Sequence, residues 1–67
     1  MNRAELRAAI ARKGISKTAL AEALGISRTA LGQKLTGVRE FKESEIKALV
    51  KVLGLSAGDV DTLFFLD

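Results

Sequence analysis

The side chains of this chain that could do chemistry are few, and most of them can only bind. His, Cys, Tyr and Trp are absent from its 67 residues. That removes the commonest general base, the thiolate nucleophile, and the nitrogen and sulfur ligands of ordinary metal sites. The carboxylates Glu43, Glu45, Asp59 and Asp61 fall where helix caps and solvated faces account for them, with no nucleophile–base pair beside them. The expectation is a protein that is not an enzyme and takes no cofactor, metal or small-molecule substrate. With three Phe there are also too few aromatic platforms to stack single-stranded bases. One stretch differs from the rest. At about 100° per residue, Leu31 and Leu35 mark one side of a helix, while Thr29, Gly32, Gln33 and Thr36 share the other, with Arg28 at its edge. That outward face holds hydrogen-bond donors and acceptors, no acid and no large apolar group. Gly32 costs about 1 kcal/mol relative to Ala in a helix interior, and either close approach of the backbone to a ligand or close helix packing would explain it.

Charge narrows the kind of surface that face could meet. The net charge is +3, but residues 1–39 carry +6 and residues 40–67 carry −3. A basic half joined to an acidic half suits one face for a polyanion and another kept off it. A chain this short buries only about 60% of the surface its unfolded form exposes, so residues 1–67 are expected to form one small domain without a deep pocket. The apolar share of 48% and charged share of 28% fit a folded domain rather than a disordered tail. No apolar run approaches the roughly 18 residues of a membrane span, and the first residues do not form a signal peptide. A cytoplasmic, nucleoid-associated binding module with no membrane partner is expected.

The elements that must hold the polar face are helices. No segment alternates apolar and polar residues long enough for a convincing strand. Three times the chain spells Gly, an aliphatic residue, then Ser: Gly14-Ile15-Ser16, Gly25-Ile26-Ser27 and Gly54-Leu55-Ser56. The glycine suits the left-handed residue that closes a helix, and the serine suits the N-cap of the next. The aliphatic residue between them can staple onto the residue five positions later, as in Ile15/Leu20, Ile26/Leu31 and Leu55/Val60. Asn2 and Lys42 take the cap position of the other two helices, Lys42 being a poor cap. Glu5, Glu45 and Asp59 stand where capping boxes place an acid. Helices are expected over residues 3–13, 17–24, 28–36, 43–53 and 57–64.

The second and third helices are set apart by small residues around their turn: Ala21, Ala23, Gly25 and Ala30. A small residue at Ala21 lets two helices cross closely. The stretch from Lys17 to Gly37, with Ala21, Gly25, Ile26, Ser27 and Leu31 in these places, resembles the helix-turn-helix of the lambda-repressor/Cro-like (XRE-type) family. The five-helix order extends the resemblance over nearly the whole chain. The Lys34-Leu35-Thr36-Gly37 ending, Glu40-Phe41 and the last helix look most like small phage-type repressors. The resemblance implies an all-α, compact, lambda-repressor-like five-helix bundle with the helix-turn-helix in helices 2 and 3. The chain departs from the family pattern in carrying Lys17 where Gln is usual and Leu35 where many members have Glu. It also stops at Asp67, where phage repressors often continue into a further domain.

The resemblance implies a sequence-specific regulator of transcription that reads duplex DNA in the major groove. Base contacts would fall to Arg28, Thr29 and Gln33. Their chemistry agrees: a guanidinium forks onto guanine, a carboxamide pairs with adenine, and a threonine offers a hydroxyl or meets a thymine methyl. Phosphate contacts would fall to Lys17, Ser27, Thr36, Lys34 and Arg39, although Ser27 serves equally well as a cap alone, and Lys34 and Arg39 as solvated surface. Arg3, Arg7, Arg12 and Lys13 would widen the basic field without touching bases. One domain offers few phosphate contacts, so a homodimer on a pseudo-palindromic operator is expected. Phe64 and Phe65 cannot both face the core, which makes Phe65 and Leu66 the candidate dimer contacts; an ordinary last helical turn is the other reading. A helical protein-interaction module, antitoxin-like or bridging, is the alternative function.

Overall fold

The computed structural model describes residues 1–65. They form α1 (Arg3–Lys13), α2 (Lys17–Leu24), α3 (Arg28–Thr36), α4 (Glu43–Leu53) and α5 (Ala57–Val60), the last continued by a π-helical turn over Asp61–Phe65. The first four helices have the bounds expected from sequence. Local chemistry explains why. The side chains of Asn2, Ser16, Ser27 and Ser56 each accept a hydrogen bond from the amide three residues on. Gly14, Gly25, Gly37 and Gly54 all have positive φ, and no other described residue does.

Two details differ from expectation, one at a cap and one in the last helix. Ser56 and Asp59 form a reciprocal capping box, but Asn2 and Glu5 form only half of one. The Asn2 amide that Glu5 would have received donates instead to Leu63 O at 2.7 Å, tying the start of α1 to the end of the chain. The last helix was expected to run as regular α-helix to residue 64. It widens after Val60 into i→i+5 spacing, which keeps Val60 and Phe64, four positions apart, on the core side.

The core lies where the helices meet. Leu6, Leu20, Leu31 and Leu49, one from each of the first four helices, are the fully buried large side chains. Each contributes about 1.5–3 kcal/mol relative to exposure. Ala9, Ile10, Ala21, Leu35, Phe41, Leu53, Leu63 and Phe64 complete the cluster. The radius of gyration is 10.7 Å. Ala21 is 2% exposed, as a tight α2–α3 crossing requires. Ala23, expected beside it, faces solvent instead. No helix is long and apolar enough to cross a membrane, among the described residues.

Candidate nucleic-acid interface

The polar face of α3 is mounted on a hydrophobic back. Leu31 is fully buried and Leu35 nearly so, which fixes the rotation of the helix. Arg28 and Thr29 are then exposed and Gln33 half-buried, so all three expected base-reading side chains lie on the accessible side of one helix. Ser27 caps it through its Oγ, 3.0 Å from the Ala30 amide. That bond uses an oxygen lone pair and leaves the hydroxyl proton to donate elsewhere. Gly32 has open space where its Cβ would be, with no atom within 4 Å beyond its chain neighbours and the backbone of its own helix. Close packing against another helix is therefore not the reason for this glycine.

Among the expected phosphate contacts, Lys17 and Arg39 are exposed, and the Arg39 amide donates to Gln33 O at 3.2 Å, folding the chain back on α3. Thr36 is exposed, but its hydroxyl donates to Gly32 O and Gln33 O, at 3.0 and 3.2 Å. Its one proton is occupied within the helix. Lys34 requires a correction. Expected as a phosphate contact, it is 2% exposed, and its Nζ lies 2.5 Å from Glu45 Oε1 on α4. An ammonium buried there and paired with a carboxylate does not reach solvent. Helical arithmetic could have shown this, since Lys34 sits only about 60° around the helix from Leu31.

The same Glu45 oxygen accepts the Lys42 amide at 2.8 Å. Lys42 offers no side-chain cap, so Glu45 supplies the half of the capping box that remains. Burial pushes the Glu45 carboxyl towards its neutral form. The hydrogen bonds from Lys34 and the Lys42 amide, with both lysine charges, outweigh that and hold it below the usual carboxylate range.

Two residues acquire roles that sequence reasoning missed. Arg3 Nε donates to Lys34 O at 3.0 Å, and Arg7 Nη1 donates to Leu35 O at 2.9 Å. Both carbonyls belong to the last turn of α3, where the helix dipole is negative and cations are favourable. Instead of merely widening a basic field, these arginines bind α1 to the end of the polar helix. They are 31 and 28 positions from their partners, and no spacing rule reaches that far.

Phe65 is 70% exposed while Phe64 is 9% exposed, and Leu66 lies outside the described residues. Phe65 lines a groove of about 650 Å3 with Ile46, Val50 and Val60, bordered by Glu43 and Lys47. No group of three or more Asp and Glu residues able to hold a metal ion occurs among the described residues.

A family described as a helix-turn-helix domain matches residues 3–63 of the chain. No curated protein and no solved structure matches it.

Proposed function

Because the chain belongs to the helix-turn-helix domain family, which spans residues 3–63, we propose that it is a sequence-specific regulator that binds duplex DNA through α3. The carrying observation is the arrangement of that helix: Arg28, Thr29 and Gln33 on its accessible side, with Leu31 and Leu35 anchoring the opposite side in the core. Arg28 and Gln33 read base edges in the major groove, and Thr29 contacts a base between them. Lys17, Ser27 and Arg39 hold the phosphate backbone. Lys34 is excluded from that set by its burial, and Thr36 contributes no free proton to it. Repression by occupying an operator is the regulatory mode we favour, on the resemblance to small phage-type repressors.

Two copies bind a pseudo-palindromic site in this reading, joined through Phe65 and the groove beside it. An exposed aromatic next to an apolar groove on the same surface is self-complementary, as a two-fold interface demands. The same groove is what favours the second reading, a protein-interaction module that uses Phe65 to bind another protein.

Selection of bound duplexes from a random pool tests the proposal. A recovered consensus, with affinity that falls steeply as salt rises, is the expected result. Arg28→Ala should then lose about 1–3 kcal/mol on the consensus while binding random duplex nearly unchanged. Absence of duplex binding, with salt-insensitive capture of a protein partner, would establish the second reading instead.

A further inference from the structure

The last turn of α3 is where two basic residues of α1, Arg3 and Arg7, meet the helix proposed to read DNA. Arg7 reaches it with one guanidinium nitrogen, donating to Leu35 O. A guanidinium carries five N–H donors in a rigid fork, and Arg7 is an exposed residue. The rest of its fork has no other hydrogen-bond or ion-pair partner among the described residues. Arg7 also borders a cleft of about 240 Å3 that it shares with Lys17, the exposed first residue of α2. The rest of the lining is Ile10, Ala11, Ile15 and Leu35, and no acid lines the cleft. Two cations with uncommitted donors, on one cleft without a competing carboxylate, suit a single anionic oxygen group. One of the two is already bonded to the backbone of α3.

We propose that Arg7 is a positioning residue that couples a DNA phosphate to the placement of α3: it holds Leu35 O with one nitrogen and, opposite Lys17, a backbone phosphate with the others. This rests on the duplex-DNA reading given above. The phosphate contact is then more than an attraction of charge. A DNA backbone seated between Arg7 and Lys17 fixes the guanidinium plane, and that plane fixes the last turn of the helix carrying Gln33. Lysine cannot substitute, because its ammonium is a point charge without a planar fork to span both oxygens. Arg3 bonds the neighbouring carbonyl, Lys34 O, but does not line the cleft, and it acts on the helix alone.

The test is equilibrium binding of the whole chain to a selected duplex and to a random duplex across a range of salt, for wild type, Arg7→Lys and Arg7→Gln. Arg7→Gln should make the salt slope shallower by about 0.9, the loss of one phosphate contact, on both duplexes. It should also cut the ratio of selected to random affinity roughly tenfold, the scale of one charge-assisted hydrogen bond. Arg7→Lys should keep the wild-type slope and lose about the same ratio. A wild-type slope in Arg7→Gln, or a wild-type ratio in Arg7→Lys, overturns the proposal. Thermal melting of each variant accompanies the binding; should Arg7→Gln fail to fold, the ratio in Arg7→Lys decides. If the wild-type chain prefers no duplex at all, the functional reading itself fails, and this inference with it.

Discussion

The turns that close α2 and α3 both place a glycine in the left-handed region, yet different partners hold them. After α2, Gly25 N–H returns to Glu22 O and Ile26 N–H to Ala21 O. Every bond lies within six residues, and Ser27 then opens the next helix. After α3, the carbonyls of Lys34 and Leu35 receive side chains from α1, and the Lys34 ammonium is buried against Glu45 on α4. The first turn is a local device that any helix pair could carry. The second is a tertiary joint that fixes the end of the polar helix against two others. The chain uses one turn grammar three times, and α3 differs in being held at its far end by side chains from α1 and α4.

The largest expected effect strikes that joint. Lys34→Met leaves the Glu45 carboxylate buried without its cation and should cost about 3–5 kcal/mol, comparable with the whole stability of a domain this size. Urea unfolding measures it. The pH dependence sharpens the assignment. A carboxyl held below its ordinary value contributes stability that is complete above about pH 4.3, the ordinary glutamate value, and is lost as pH falls through the lowered one. The gap between wild type and Lys34→Met should therefore narrow in acid; a gap unchanged down to pH 3 would deny the ion pair its role.

At the local turn the expected effects are smaller. Ala21→Leu should destabilise by about 1–3 kcal/mol through overpacking of the α2–α3 crossing. Ala23→Leu, on the exposed side, should stay within about 0.5 kcal/mol. Equal melting temperatures for the two would show that the crossing is not tight. Smallest of all, Gly32→Ala should raise stability by up to about 1 kcal/mol, since open space awaits the methyl group. Higher stability with weaker duplex binding would place the α3 backbone against DNA. Higher stability with unchanged binding would leave the glycine without a part in the interface.

Much of this molecule could be read before its structure. Caps at Asn2, Ser16, Ser27 and Ser56, with left-handed glycines after three of the helices they open, bound the helices because each signal acts across three to six residues. The rotation of α3 followed from Leu31 and Leu35. That same rotation puts Lys34 inward, where its charge alone would have placed it in solvent. The half-formed box at Asn2 and the widening after Val60 were not legible. Both depend on Leu63 and Phe64 meeting the start of α1 and the core, contacts made by the two ends of the chain.

The order of residues therefore determined the helices, their stops and the side of α3 that carries Arg28, Thr29 and Gln33, since these depend on nearest-neighbour hydrogen bonding and on angular spacing along one helix. Tertiary structure alone decided that Arg3 and Arg7 bind the end of α3, that Lys34 is buried against Glu45 and that Phe65 stands beside an apolar groove. Such choices depend on which distant groups come together, and no local rule ranks the partners a long flexible cation can reach.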